Sequence, residues 1–473
     1  MDWAEWLIEW LVAFGHITIW IGIFNQMHAT GIPRWSKKLG ERVIYVCLLG
    51  VGLFVWGSDL VYYSTGWKHL VSCDPWERIA IGLGISLPAW MAQGVTFNAV
   101  MAYRILCLVA FSVIVLRWMY WRWSLRTPVE FALGPAVRHA VRLEPSHAAI
   151  ERLGPVLLHG SLEDGPEARS TVSDTTVVEM GGFDSFRGDE SKQVDESFDS
   201  ALGDGAVSAW CGDRLTQWMS RFPGNQILEL EVNAKSLYLP TLPSQFDGLS
   251  IAHVSDFHLT GRMTRRFYER VSELVSSLDC DVVVLAGDII DKAHCLDWLG
   301  PIFKPVRARE AKLFVLGNHD KRITNEADIR KRMVSAGWLD VAGQWWLQEQ
   351  AGAVIAWSGN ELPWYGGARD LPVRERMPDE ARVLVAHSPD QIDYGVARDF
   401  DLVLAGHTHG GQIRPPVIGP VISPSHYGPK FASGEFRVGR TYMHVSRGVA
   451  GTHVVRLNCR PEITRLVLRC GRS

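Results

Sequence analysis

Asp281-Val282-Val283-Val284-Leu285-Ala286-Gly287-Asp288-Ile289-Ile290-Asp291 decides how the second half of this chain folds. A short apolar run, rich in β-branched residues, ends at a glycine and then at carboxylates. Continuous apolarity without alternation reads as a strand buried on both faces. The pattern recurs on either side. Ser250–Val254 leads into Ser255-Asp256-Phe257-His258, and Leu313–Leu316 into Gly317-Asn318-His319-Asp320. Val383–Ala386 leads into His387-Ser388, and Leu402–Ala405 into Gly406-His407-Thr408-His409-Gly410-Gly411. Between the first two runs, Phe267, Val271, Leu274, Val275 and Leu278 fall at helical spacing within Thr264–Leu278; Ile329, Met333 and Val334 do so within Asn325–Ala336. Ile227–Val232, Leu237–Leu239, Ala353–Trp357, Phe436–Val438, Tyr442–Val445 and Ile463–Leu468 read as further strands. The fold class is α/β, with two sheets packed between helices.

Five strands thus deliver carboxylates, imidazoles and one amide at their C-terminal ends, where open α/β sheets gather ligands. Oxygen and imidazole donors without thiolates suit divalent cations of hard to borderline character. Two such cations form a device for attacking phosphorus. Asp256 and His258 are two apart, as are His407 and His409, so on an extended chain each pair points to one face. Asp288 offers two oxygens for a bridge. The glycines before Asp288, Asn318 and His407 let the backbone turn tightly. Each segment alone has a bland reading as a turn or cap; five in series do not.

At 473 residues the chain holds more than one domain. A formal charge of −3 and a pI near 6.6 provide no basic field, so no nucleic-acid partner is expected. Eight scattered cysteines without a CxxC pair read as free thiols of a reducing compartment. Of 20 tryptophans, 12 precede residue 124, which sets a membrane-like N-terminal region apart from the rest. Trp6–Phe24, Val43–Tyr63 and Tyr103–Tyr120 each approach the length of a membrane span, with aromatics at their ends. Ile79–Val100, broken by Pro88 and Gln93, is a fourth apolar stretch. Asp2 and Glu5 argue against a cleaved signal peptide. Three spans place Arg34, Lys37, Lys38 and Arg42 on the same side as Arg117, Arg122 and Arg126, which makes that side cytoplasmic.

The expected domains are therefore a transmembrane region at 1–123, a polar linker at 124–208 and a catalytic domain at 209–473. Glu163–Ser208 is acidic, rich in Ser and Gly and poor in large aliphatics; its composition predicts a flexible tether.

In this order, Asp-x-His, Gly-Asp-x-x-Asp, Gly-Asn-His-Asp, His and Gly-His-x-His resemble the motifs of the calcineurin-like metallophosphoesterases, from about Leu249 to Leu468. Gly406–Gln412, Ser446–Gly448 and Pro461–Ile463 are similar to a membrane-associated bacterial branch of that family. The resemblance implies a four-layer αββα sandwich holding two divalent ions (Mn, Fe or Zn). It assigns one ion to Asp256, His258, Asp288 and His409, and the other to Asp288, Asn318, His387 and His407. It makes His319 catalytic, with Asp320 orienting it, and leaves Asp291 behind the ligands. His253 lies outside the motifs and reads as a packing residue or one behind the ligands.

A multi-pass anchor in the inner membrane, with the site facing the cytoplasm, favours membrane lipids or a lipid-linked phosphate as substrate, cleaved at a phosphodiester or phosphoanhydride. A phosphomonoesterase or protein phosphatase on the same site is the alternative enzyme; a membrane sensor or scaffold is the non-catalytic one. Trp345, Trp346, Trp364 and Tyr365 are candidates to receive an acyl chain or nucleobase, and Arg414, Lys430 and Arg447 to meet extra phosphate charge.

Overall fold

The computed structural model describes residues 3–29, 36–47, 95–124, 137–142, 175–178 and 209–471, apart from 324, 367–370, 417–418 and 452. The chain divides into two units, Met1–Thr127 and Pro128–Ser473.

In the first unit, helix α1 (Trp3–Ala29) packs against α2 (Val95–Ser124). Gly15 makes the close approach possible, since a Cβ there would lie 1.9 Å from the Cys107 carbonyl oxygen. Beside it, His16 Nδ1 and the Tyr103 hydroxyl are hydrogen-bonded at 2.6 Å. Among the described residues, only α1 is long and apolar enough to cross a membrane, over Trp10–Met27. The expected span at Tyr103–Tyr120 lies within α2, where the apolar segment among the described residues is the shorter Ala102–Val113. The expected span at Val43–Tyr63 and the stretch at Ile79–Val100 fall largely outside the described residues.

In the second unit the parity of the strand side chains builds the layers. Val282, Val284 and Ala286 face one way with Ile251, Leu313 and Val315; they meet Ile355, Trp357, Val383, Val385, Leu402 and Leu404 from the other sheet. Val283, Leu285, Val254 and Phe314 face the opposite way, onto Phe267, Val271, Leu274 and Ile329 of the outer helices. Leu384, Val403, Ala405 and Met443 cover the far side of the second sheet with Ile392 and Phe431. Every central strand is therefore buried on both faces, and the continuous apolar runs follow from that.

The first sheet has the order β2-β1-β3-β14-β4-β5-β6-β7. Its strands are β1 (Val137–Arg142), β2 (Thr175–Val178), β3 (Glu229–Leu239), β4 (Ser250–Val254), β5 (Val282–Ala286), β6 (Ala311–Val315), β7 (Leu339–Asp340) and β14 (Glu462–Cys470). The second sheet runs β12-β13-β11-β10-β9-β8. It contains β8 (Trp345–Gln350), β9 (Ala353–Asn360), β10 (Glu380–Ala386), β11 (Leu402–Ala405), β12 (Gly434–Val438) and β13 (Thr441–Val445). The helices are α3 (Arg214–Ser220), α4 (Arg265–Ser277), α5 (Leu299–Phe303), α6 (Glu326–Ser335) and α7 (Ile392–Ala397). Thr264 starts α4 by accepting the Phe267 N–H.

The two runs expected at Ile227–Val232 and Leu237–Leu239 form one strand, β3, because backbone pairing with β14 carries through the polar residues between them. Edge strand β8 was not legible: Gln348, Glu349 and Gln350 dilute its apolar signal. Two pieces of the polar linker, β1 and β2, extend the first sheet beside β3; the remainder of Glu163–Ser208 lies outside the described residues.

Near one edge the two sheets are joined by charge. The Arg447 guanidinium, just after β13, reaches Glu231 at 2.7 Å and Glu462 at 2.6 Å. Burial opposes ionisation of Glu462, but Arg447 and Lys235 hold its carboxyl well below the usual range. Lys235 contacts Glu435 and His444, and His444 Nδ1 lies 2.8 Å from the buried His253. His253 and Arg447 are thus structural, and Arg447 is not available to substrate. Removing the cation strands two buried carboxylates: Arg447→Ala should cost about 3–5 kcal/mol and lower the melting temperature by roughly 10 °C. Thermal denaturation with a drop below about 3 °C would contradict this.

Candidate metal centre

Three of the five strands that enter the site, β4, β5 and β11, end in left-handed turns. Asp256, His258, Asp288, His407 and His409 all have positive φ, between 48° and 72°. Asp and His tolerate this left-handed region better than most residues, but it costs energy that the surrounding structure must offset. The expectation that Asp256/His258 and His407/His409 share a face through extended backbone is therefore corrected: tight turns bring them together. Gly317 has a different task. A Cβ at that position would stand 2.2 Å from Asp288 Oδ1, so only glycine leaves room for the carboxylate.

The seven ligand-type residues converge. His258 Nε2 lies 3.1 Å from His409 Nε2 and 3.7 Å from Asp256 Oδ1, and His409 Nε2 lies 3.7 Å from the same oxygen. On the other side His387 Nε2 lies 3.2 Å from Asn318 Oδ1 and 3.1 Å from His407 Nδ1. Asp288 Oδ2 stands between the two groups, 3.4 Å from His258 Nε2 and 3.3 Å from His387 Nε2. Asp256, His258 and His409, and likewise Asp288, His387 and His407, form clusters able to hold an ion.

The protein fixes which lone pairs face inward. His258 donates through Nδ1 to Asp291 at 2.7 Å, and His387 through Nδ1 to the Ala286 carbonyl at 2.8 Å. Their Nε2 atoms are left to point at one another's ligand groups. Asp256 Oδ1 and Asp288 Oδ2 are buried and have no hydrogen-bond partner. Buried carboxylate oxygens left without donors beside a cluster of imidazoles are unfavourable in a dry interior unless positive charge lies between them. The residues fit two divalent ions.

The field is strongly negative. Burial opposes charge on His258, but Asp291 and Asp288 outweigh it and push the imidazole up to about 10. Burial is likewise outweighed at His387, which Asp288 raises to about 9. His409 is driven down to about 3, chiefly by burial.

His319 sits on the rim, its ring edge-on to His258 at 4.5 Å. Its backbone N–H donates to Asp288 Oδ1 at 2.7 Å, and its Nδ1 donates to Asp291 at 2.5 Å. Asp291, not Asp320, therefore orients it. Asp320 is fully buried and accepts backbone N–H groups of Ile289, Ile290 and Gly317 at 3.0, 2.8 and 2.7 Å. That carboxylate ties the turn after β5 to the turn after β6. Burial and the neighbouring Asp288 push it up to about 7.

Sequence reasoning missed Arg322, whose guanidinium contacts Asp291 and donates to His319 Nε2 at 2.9 Å. Its position three residues after His319, across one turn, was the available signal. Glu361 was also missed; it accepts the Leu316 N–H at 2.6 Å and pairs with Arg330. Of the aromatic candidates, Trp364 lies against the site, 4.9 Å from the His407 ring and 5.3 Å from His387. Trp345 stacks on Phe400 and Trp346 packs beside Trp357, away from the ligands. Lys430 covers Phe431 and Tyr427.

Residues 249–411 match the model of the calcineurin-like phosphoesterase family. The chain is 30% identical over 276 residues to the metallophosphoesterase YkuE of Bacillus subtilis, covering 57% of this chain and 94% of that protein. The chain belongs to the calcineurin-like phosphoesterases. It is also 29% identical to phosphodiesterase YaeI of Escherichia coli, over 40% of this chain and 70% of that one. A transmembrane protein with a metallophosphoesterase domain from Bos taurus is 29% identical, over 49% of this chain and 55% of its own length. As a member of this family the protein is a metal-dependent phosphoesterase.

Because His258 and His387 hold protons below about 10 and about 9, a metal must displace them at neutral pH. Loading should release protons, and affinity should rise with pH through that range. Titration calorimetry of metal-stripped protein in buffers of different ionisation enthalpy tests this; an enthalpy independent of buffer would contradict it.

Proposed function

We propose that this protein is a membrane-anchored dimetal phosphohydrolase that cleaves a phosphodiester or phosphoanhydride in a lipid-linked substrate. The observation that carries the dimetal reading is the unpartnered Asp288 Oδ2 midway between His258 Nε2 and His387 Nε2. Asp256, His258, Asp288 and His409 would hold one ion, and Asp288, Asn318, His387 and His407 the other. When bound, the pair supplies an activated water and neutralises phosphoryl charge. Oxygen and imidazole donors favour Mn, Fe or Zn.

The chain's own residues supply the rest. Asp291 fixes the His319 ring through Nδ1. An anionic substrate stabilises the imidazolium, which then donates from Nε2 to the leaving oxygen. Arg322, already beside that nitrogen, meets a non-bridging phosphoryl oxygen. Trp364 walls the second ligand group from solvent on the side of His387 and His407.

A diester reading is favoured by the similarity to YaeI, which is named a phosphodiesterase. The membrane reading rests on α1 and on the transmembrane relative. The basic groups at Arg34–Arg42 and Arg117–Arg126 favour a catalytic domain on the cytoplasmic side of the inner membrane, by the positive-inside rule.

The full chain, purified in detergent and loaded with Mn²⁺, should hydrolyse bis(p-nitrophenyl) phosphate faster than p-nitrophenyl phosphate. Asp288→Asn should abolish turnover, and His319→Ala should lower kcat by roughly 10²–10⁴-fold. Arg322→Ala should cost about 10–100-fold without change in metal content. A metal-loaded parent inert towards both esters would favour a sensor or scaffold; preference for the monoester would favour a phosphomonoesterase.

A further inference from the structure

Helix α3 opens the catalytic unit, and its two faces differ. Thr216 and Met219 turn inward, next to Trp210 and Cys211 in the core under α4. Leu215 and Trp218, at i and i+3 on α3, turn outward, and Phe222, just past the C-terminal end of the helix, is exposed with them. They are 58%, 67% and 52% exposed. Isolated apolar residues on a surface need no explanation, but a stripe of three with a tryptophan at its centre marks a contact surface.

The segment after α3 is tied to the loop that follows His409. Asn225, just beyond Phe222, bridges to Leu457, and Leu457 bridges to Ile413. The Leu457 N–H donates to the carbonyl of Gln412, three residues after His409. Ile413, on that loop, is also exposed. The surroundings are basic. Arg214 and Arg221 flank the helix, both exposed, and Arg265 and Arg266 are exposed at the start of α4. Two acidic groups lie nearby and are already engaged. Asp213 caps α3 by accepting the Thr216 N–H at 2.8 Å, and Glu269 pairs with Arg265 at 2.9 Å.

We propose that the exposed apolar surface of Leu215, Trp218 and Phe222 is a docking surface for a lipid bilayer bearing anionic headgroups. Tryptophan, phenylalanine and leucine on one face with arginine at the margins is the composition that settles at the headgroup–acyl boundary. Arginines beside it gain from the negative surface potential of such a leaflet. The acidic stretch Glu163–Ser208 could match the charge, but it has few large aliphatics to cover the apolar stripe. A chain carrying α1 holds the surface within reach of a membrane. Docking would present the mouth of the metal site to phosphate at headgroup depth. The inference rests on the lipid-linked substrate proposed above and deepens it.

The test uses the full chain with p-benzoylphenylalanine in place of Trp218, reconstituted into vesicles of phosphatidylcholine and phosphatidylglycerol. Illumination should give a phospholipid adduct at 218, and none when the probe replaces Glu349 on edge strand β8. An adduct to residues 128–208, an adduct to a second copy, or equal lipid labelling at both positions would overturn the proposal. The triple variant Leu215→Ser, Trp218→Ser, Phe222→Ser should slow hydrolysis of a vesicle-embedded diester by roughly tenfold or more, leaving bis(p-nitrophenyl) phosphate turnover unchanged. Where the parent does hydrolyse the embedded diester, an equal rate in the variant would also overturn it. A lipid adduct at 218 in a protein that hydrolyses no lipid diester would uphold the surface and remove the substrate reading instead.

Discussion

Two carboxylate oxygens, Asp256 Oδ1 and Asp288 Oδ2, are buried without donors among imidazole nitrogens. That arrangement cannot be stable in a dry interior without positive charge, and much of the surrounding structure exists to hold it in place. Three of the five contributing strand ends, after β4, β5 and β11, turn through positive φ to deliver five of the ligands. Gly317 yields the space of a Cβ to Asp288, and Asp320 gathers three backbone N–H groups from two neighbouring turns. The ligand imidazoles are aimed from behind by Asp291 and by the Ala286 carbonyl. The layered core supplies rigidity, since the strands that carry these turns are buried on both faces.

Charge is handled differently at two places in the same domain. Around Arg447 each buried carboxylate has its cation within the chain. At the site the acids are left short of positive charge, and His258 and His387 retain protons to compensate. The first network is closed and structural, whereas the second needs a ligand from outside. This contrast separates binding residues from structural ones among side chains that are all buried and polar.

The sequence was most informative where burial imposed a simple rule. Val282–Ala286, Ser250–Val254 and Leu402–Ala405 end in the structure where their apolar runs end, because strands buried on both faces carry few polar residues, each with a partner, as His253 has in His444. The helices starting at Thr264 and Asn325 were legible from spacing and their N-terminal residues. Edge strand β8 was hidden, since one solvated face permits Gln and Glu. The ligand set was readable from residue type at strand ends. The relation of His319 to Asp291 rather than Asp320 was not, because adjacency in sequence says nothing of where a side chain points after a turn. Arg322 escaped for the same reason.

The central claim is that this domain binds a pair of ions sharing Asp288. Electron paramagnetic resonance of the purified full chain titrated with Mn²⁺, alongside elemental analysis, tests it most directly. The account predicts two ions per chain with the multiline spectrum of a spin-coupled pair, and loss of that coupling in Asp288→Asn. A single ion per chain, or two that never couple, would contradict it.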